Sequence, residues 1–356
     1  MKNILLLFSF IFIYNNTFSQ SKVDTFMTAF LKTHNFNGTI LIERHSKPVY
    51  RKSFGFANLP FKVPNTPATR YKVASITKAF TSVLILQLFE NGKIDLDAPV
   101  KTYLPDYKGE GEKVTVRQLL NMTTGMHNMD EGTNLDSALK NGIPQYQRPY
   151  TPDQLLTGFC SGPLVKEPGK EFDYNNADYI ILGKIIEEVS GRSYEQQLNE
   201  KILLPLQMTN SGLLSQHKLI DKLADTYFYR DDLHTLVSDL PVYLENWYAA
   251  GAMYSTADDI LKFSNALFYG KLLKKETLKQ MFVSGLGEYG LGVWVYERYE
   301  INGKMYTIVK RPGSIMGAQA MLFHILEDNA TIIILSNTGT VSLDDLSADL
   351  AKQIVG

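Results

Sequence analysis

Apolar positions alternate at the two ends of this chain and recur at helical spacing through its middle. Residues 38–43 and 49–54 are rich in β-branched and aromatic side chains, and His45-Ser-Lys-Pro48 between them reads as a turn, so the two runs form a hairpin. Near the other end, residues 305–311, 319–325 and 331–335 read as three more strands, with Asp328-Asn329 turning between the last two. In between, apolar residues at 179, 180, 182, 185, 186 and 189 keep helical spacing and stop at Ser190-Gly191. Residues 116–122 read as a short helix closed by Thr123-Thr-Gly125, and Thr256 or Ser255 caps a helix opening at Ala257-Asp-Asp-Ile260. Residues 342–354 form a terminal amphipathic helix. Residues 57–70, with Pro60, Pro64 and Pro67, form a loop, and residues 126–150 are loop-rich and suited to shaping a cleft.

Strands at both ends with helices between them predict an α/β (α+β) fold. Both chain ends build an antiparallel sheet of about five strands, terminal helices flank it, and a large, mostly helical insertion fills the middle. One domain then covers residues 21–356, with a sheet part at about 21–70 and 295–356 and a helical part at about 71–294. No repeat or low-complexity linker divides it.

One helix departs from the amphipathic pattern. Ala79, Phe80, Val83, Leu84, Ile85, Leu86, Leu88 and Phe89 make it apolar nearly all round, up to Asn91-Gly92, and such a helix is buried. It opens on Tyr71-Lys-Val-Ala-Ser-Ile-Thr-Lys78. Ser75 and Lys78 lie about one turn apart and share a face. A serine hydroxyl is a weak nucleophile until a neighbouring base takes its proton. A lysine on the first turns of a buried helix is desolvated, which lowers its pKa and makes it a usable base. Ser75 near the helix N-terminus also meets backbone N–H groups that favour developing negative charge. The string Ser-x-x-Lys recurs at Ser19/Lys22, Ser137/Lys140 and Ser215/Lys218, so only the buried helix singles out Ser75/Lys78. An N-cap serine followed by a lysine reaching the surface is the structural alternative.

The chain starts Met1-Lys-Asn3, continues with an apolar run over residues 4–14, and then turns small and polar over 15–21. That run is too short for a bilayer and fits a secretory segment, with removal expected near Gln20. The product would be exported, periplasmic or secreted, with no transmembrane segment. Cys160 is the single cysteine, so no internal disulfide is expected, and it reads as an inert buried thiol. A formal charge of −1 without a basic tract argues against a nucleic-acid partner. The histidines at 34, 45, 127, 217, 234 and 324 show no metal-ligand spacing, and neither a Gly-x-Ser-x-Gly elbow nor a phosphate-binding glycine loop occurs. No metal and no cofactor is expected.

A serine–lysine pair needs a second polar group for the leaving-group proton and an oxyanion hole. Tyr174-Asn-Asn176 supplies a candidate: in a non-helical segment i and i+2 point the same way, so Tyr174 and Asn176 enter one cleft. The phenol shuttles protons if nearby cations lower its pKa, and Asn176 binds Lys78 and a substrate amide. A loop tyrosine and an N-cap asparagine are the structural alternative.

With these residues in place, the chain resembles the serine β-lactamase and penicillin-binding-protein superfamily, in its class C-like branch of D,D-peptidases, β-lactamases and esterases. The resemblance spans roughly residues 25–340. It is carried by Val73-Ala-Ser-Ile-Thr-Lys78, Asn91-Gly-Lys-Ile-Asp-Leu-Asp97, Val116-Arg-Gln-Leu-Leu-Asn-Met-Thr-Thr-Gly125, Pro168-Gly-Lys-Glu-Phe-Asp-Tyr-Asn-Asn176, Pro205-Leu-Gln-Met208 and Ala249-Ala-Gly-Ala-Met-Tyr-Ser-Thr256. It implies Ser75 as the acylated nucleophile, Lys78 as its base and Tyr174 with Asn176 as the second motif. The third motif departs from the family's Lys-Thr-Gly or His-x-Gly, with Arg311-Pro-Gly-Ser-Ile-Met-Gly317 in its place. Arg311 keeps the positive charge, is suited to gripping a carboxylate with two parallel hydrogen bonds, and cannot act as a base. An ion pair at a strand end is its alternative role. Pro312 removes a backbone donor, which predicts an edge strand. Gly313 allows close backbone approach to a substrate, and the Ser314 N–H joins the Ser75 N–H in the oxyanion hole that the resemblance implies.

The resulting expectation is a serine hydrolase with an acyl-enzyme on Ser75. Its partner is a small-molecule or peptide substrate, cell-wall-derived compounds included. The Arg311 cation favours D-Ala-D-Ala-type peptides, β-lactams and related carboxylate-bearing amides or esters. A carboxylesterase on small acyl esters is the nearest alternative. A non-catalytic homologue that senses muropeptides or penicillins is a further one.

Overall fold

His45 and Ser46 both hold positive φ, the backbone a tight two-residue hairpin turn requires, and they join strands β1 (Gly38–Arg44) and β2 (Lys47–Phe54). The computed structural model describes residues 21–355, and the expected export segment, residues 1–20, lies outside them. Four strands from the other chain end complete the main sheet: β3 (Trp294–Ile301), β4 (Lys304–Ile315), β5 (Ala318–Ile325) and β6 (Ala330–Ser336). Their spatial order is β3-β4-β5-β6-β1-β2, antiparallel throughout, so β1 joins the two chain ends by pairing with both β6 and β2.

The sheet has six strands, one more than the pattern predicted. The addition is β3, whose alternation is broken where the register shifts between Tyr296 and Tyr299. A bulge of this kind puts Glu297 and Arg298 side by side and hides the period of two.

Both faces of the sheet are covered. On one, helices over residues 21–30 (α1) and Leu343–Ile354 (α5) bury Val23, Met27, Leu346 and Leu350 against Ile40, Ile42, Ile332 and Ile334. On the other, Leu41, Leu322, Ile333 and Leu335 join the core of the helical part. Strand β6 is buried on both faces, which is why it reads as a continuous apolar run.

At the centre of the helical part lies α2 (Thr77–Glu90), with Phe80, Val83, Ile85 and Leu86 fully buried. It ends at Asn91, with Gly92 in a left-handed turn. Helix α3 (Asn176–Ser190) ends at the left-handed Gly191, and α4 (Ala257–Phe268) starts under a Thr256 cap, both as the sequence pattern predicted. The stretch expected as a loop over 57–70 contains two short strands, Phe56–Asn58 and Val63–Pro64. Residues 126–150 contain a helix, Leu135–Asn141, with Asn134 and Ser137 capping each other. Among the described residues no helix is long and apolar enough to cross a membrane.

Candidate active site

Ser75 lies in a 3₁₀ turn, Ala74–Ile76, that leads directly into α2. Ala74 takes φ +46°, an unusual backbone for a residue with a side chain, immediately before the serine. One turn on, Lys78 is fully buried. Its Nζ donates to Ser75 Oγ over 3.0 Å, to Asn176 Oδ1 over 2.7 Å and to the Ala250 carbonyl over 2.8 Å. Three acceptors meet three ammonium donors, so the amine is held in one orientation. Burial depresses the Lys78 pKa to about 8, with Arg311 lowering it further while Tyr174 and Asp130 oppose the shift.

Tyr174 directly precedes the N-cap of α3, Asn175, whose side chain accepts from the Ala177 N–H. The tyrosine hydroxyl donates to Ser75 Oγ over 2.8 Å. Ser75 Oγ therefore sits between an amine and a phenol. Asn176 reaches Lys78 through its oxygen, and its Nδ2 donates to Asp130 Oδ2 over 2.7 Å. Asp130 in turn accepts from the Tyr146 hydroxyl over 2.8 Å, and the Tyr146 ring stacks on Trp247 at 3.5 Å. This chain fixes which end of the Asn176 amide faces the lysine.

Arg311 is fully buried on β4, and its guanidinium donors are taken by groups of the protein itself. Nε donates to the Ser75 carbonyl over 2.6 Å, and the two terminal nitrogens donate to the Tyr289 hydroxyl over 2.7 Å and the Tyr174 hydroxyl over 2.6 Å. The guanidinium also lies over the Trp294 ring at 5.0 Å, and Trp294 stacks on Tyr174 at 5.7 Å. Expected as a grip for a substrate carboxylate, Arg311 is found as a partner of the catalytic tyrosine candidate. Burial alone would raise the Tyr174 phenol, but Arg311 and then Lys78 outweigh it and bring the pKa down to about 8.

Arg311 and Gly313 are two residues apart on β4 and share the face turned toward Ser75. A Cβ on Gly313 would lie 2.3 Å from the Val73 carbonyl and 3.0 Å from the Ser75 nitrogen, so only glycine permits this approach. Ile315 pairs with Ala318 across the two-residue loop Met316-Gly317. Alternation from that closing pair turns the Gly313 N–H toward β5 and the Ser314 N–H away from it. β4 pairs with β3 up to Lys310 and with β5 from Ile308 onward, so residues 311–315 have a neighbour on one side only. Pro312 thus lies on a local edge and not on an edge strand, where its missing donor costs no ladder bond.

Asp130, Tyr289 and Trp294 were not singled out by the sequence, because each reaches the site through tertiary packing and none belongs to a recognisable spacing. Of the other Ser-x-x-Lys pairs, Ser137 serves as a helix cap and Ser215 accepts from the His217 N–H. Ser19 lies outside the described residues. Among the described residues no group of three His, Cys, Asp or Glu side chains is placed to hold a metal ion.

A family model described as Beta-lactamase matches residues 23–355. The chain is similar to the putative penicillin-binding protein PbpX of Bacillus subtilis (strain 168), with 32% identity over 307 residues, 85% of this chain and 74% of that relative. The crystal structure of a penicillin-binding protein from Bacillus halodurans superposes with a TM-score of 0.75 at 27% identity, covering 88% of this chain and 95% of the other. The octameric penicillin-binding protein homologue from Pyrococcus abyssi superposes with a TM-score of 0.78 at 27% identity, covering 93% of this chain and 76% of the other.

Proposed function

The chain belongs to the Beta-lactamase family, and from that premise we propose that it is a serine hydrolase working through an acyl-enzyme on Ser75. One observation carries the reading: Ser75 Oγ lies within hydrogen-bond reach of both Lys78 Nζ and the Tyr174 hydroxyl. Each of those groups titrates at about 8, close to the pH at which a general base works best.

Ser75 Oγ attacks the substrate carbonyl carbon, and the C=O π electrons move onto its oxygen. The serine proton passes to the Lys78–Tyr174 pair. The oxyanion rests against the N–H groups of Ser75 and Ser314. As the carbonyl re-forms, the bond to the leaving amine or alkoxide breaks, and Tyr174 hands that group a proton. Water then attacks the acyl carbon by the same steps, and Ser75 leaves with its proton restored. Donors fixed in advance at the oxyanion are the largest single contribution such a site makes.

The penicillin-binding names of the relatives support a finer reading, that the acyl donor is a D-Ala-D-Ala-type peptide or a β-lactam. A cell-wall-derived peptide fits that reading. The expected export segment at residues 1–20 puts the reaction in the periplasm or outside the cell. The Arg311 donors, already taken by Ser75, Tyr289 and Tyr174, favour a second reading, a carboxylesterase acting on small esters that needs no carboxylate grip.

Labelling with a fluorophosphonate and with a fluorescent penicillin tests the first step. The expected result is one label on Ser75, lost in Ser75→Ala. No label and no burst with activated esters would end the hydrolase reading and leave a ligand-sensing protein. Among labelled substrates, kcat/KM on a D-Ala-D-Ala peptide, a cephalosporin and a short aryl ester separates the substrate classes.

A further inference from the structure

Behind the proposed oxyanion hole runs a polar network that the acyl-transfer chemistry does not use. Gly317 is the second residue of the loop joining β4 and β5, three residues beyond Ser314. Its N–H donates to Asp239 Oδ1 over 2.9 Å. The other carboxylate oxygen accepts from the Thr226 hydroxyl, which itself accepts from Lys72 Nζ over 2.7 Å. Lys72 stands three residues before Ser75, in a short strand, Tyr71–Lys72. One chain of hydrogen bonds thus connects the segments that carry the Ser75 and Ser314 N–H groups.

The loop it holds is strained and tightly placed. Met316 takes φ +48°, a left-handed backbone that residues with side chains rarely adopt. A two-residue hairpin loop calls for positive φ at its first position, and with methionine rather than glycine there the turn is held by its surroundings. A Cβ on Gly317 would lie 2.1 Å from the Tyr227 carbonyl, so the loop backbone packs directly on the backbone of a short strand, Tyr227–Arg230. The Asp239 N–H donates to the carbonyl of Thr226, the residue just before that strand, over 3.2 Å, which fixes Asp239 relative to it.

We propose that Asp239 is a positioning residue for the oxyanion hole: through the Gly317 N–H it sets the Met316-Gly317 loop, and with it the Ser314 N–H, in register with Ser75. Asp239 touches neither substrate nor the reacting atoms. The inference rests on the acyl-transfer reading above. What it requires of residue 239 is an acceptor oxygen at one place rather than a negative charge.

Three variants separate place from charge, assayed as purified full-length protein on p-nitrophenyl acetate. Asp239→Asn keeps an acceptor for Gly317 and loses the charge, and kcat stays within about 3-fold of wild type. Asp239→Glu keeps the charge and displaces the acceptor, and Asp239→Ala removes it. In both, kcat falls about 10- to 100-fold at nearly unchanged KM, the signature of a contact strengthened in the transition state. A merely structural role would lower the melting temperature and leave kcat per folded molecule intact. If Asp239→Ala does not fold, the Asn and Glu pair decides. Wild-type kcat in the Glu or Ala variant, or an Asn variant as slow as Ala, overturns the proposal. A wild type that neither turns over esters nor takes label at Ser75 overturns the hydrolase reading instead, and this inference with it.

Discussion

Arg311 donates to the Tyr174 hydroxyl over 2.6 Å from a fully buried position. A cation so close and so poorly solvated acts on the phenol more strongly than it would in water. Its effect is visible in direction. Burial raises a tyrosine, yet Tyr174 falls to about 8 with Arg311 as the largest opposing influence. The pair thus makes a role for Arg311 in the proton chemistry of the site testable apart from substrate choice.

For the wild type, kcat/KM rises with pH through a limb near 8, where Lys78 and Tyr174 lose their protons. Arg311→Met removes the largest influence opposing burial and leaves Lys78 to oppose it. The Tyr174 pKa then rises, and the limb moves to higher pH. Two pH units would cost about 100-fold in kcat/KM at pH 7, since one unit is tenfold. The loss should be equal on a neutral aryl ester and on a carboxylate-bearing substrate. A loss confined to the carboxylate substrate, with the limb unmoved, would return Arg311 to the role of an anchor.

Asp130 orients Asn176, and Asn176 orients Lys78. Without the carboxylate, Nδ2 of Asn176 loses its acceptor, and the amide is free to turn its NH₂ toward the ammonium. Asp130→Ala and Asn176→Ala should each lower kcat about tenfold, and the double variant should lose little more than either, because residues acting through one network are not additive. Multiplying losses in a steady-state double-mutant cycle would show that the two act independently.

What was legible in the sequence was local. Ser75 and Lys78 are one helical turn apart at the head of an all-round apolar helix, which set them apart from three other pairs of the same spacing, and Tyr174 and Asn176 are two residues apart. The direction of Arg311 depends on aromatic rings packed from Tyr174, Tyr289 and Trp294, and no spacing encodes that. Asp130 meets Asn176 across 46 residues of chain, through a loop with no motif of its own. Strand β3 was hidden by its bulge. β4, β5 and β6 were legible because their alternation, or their unbroken apolar character, survives in the sequence.

Stability toward acid should depend on His324. It is buried on β5, its Nδ1 lies 2.8 Å from the Thr331 hydroxyl, and its ring stacks on Phe268 at 3.7 Å. Burial depresses its pKa from 6.5 to about 3. Between those values the unfolded chain binds a proton that the folded chain does not. The contribution is therefore present above 6.5 and is lost as pH falls toward 3. His324→Phe gives up the Thr331 contact, at about 1 kcal/mol near neutrality. It should also flatten the loss between pH 7 and pH 5. Urea denaturation at both pH values checks this, and an unchanged pH dependence would remove His324 as its source.

Gly313→Ala should damage the site more than the size of a methyl group suggests. The added Cβ would fall 2.3 Å from the Val73 carbonyl and 3.0 Å from the Ser75 nitrogen, both backbone atoms that no rotamer change can move aside. Either β4 retreats or the Ala74–Ile76 turn does, and each movement opens the gap between the Ser75 and Ser314 N–H groups. Overpacking of this kind costs about 1–3 kcal/mol of stability. Displacing an oxyanion donor costs about 100-fold or more in kcat. The two effects separate experimentally, because the first appears as a lower melting temperature and the second as slow acylation by a fluorophosphonate of protein that is fully folded at the assay temperature. Normal acylation in the folded variant would mean that β4 does not set the geometry around Ser75.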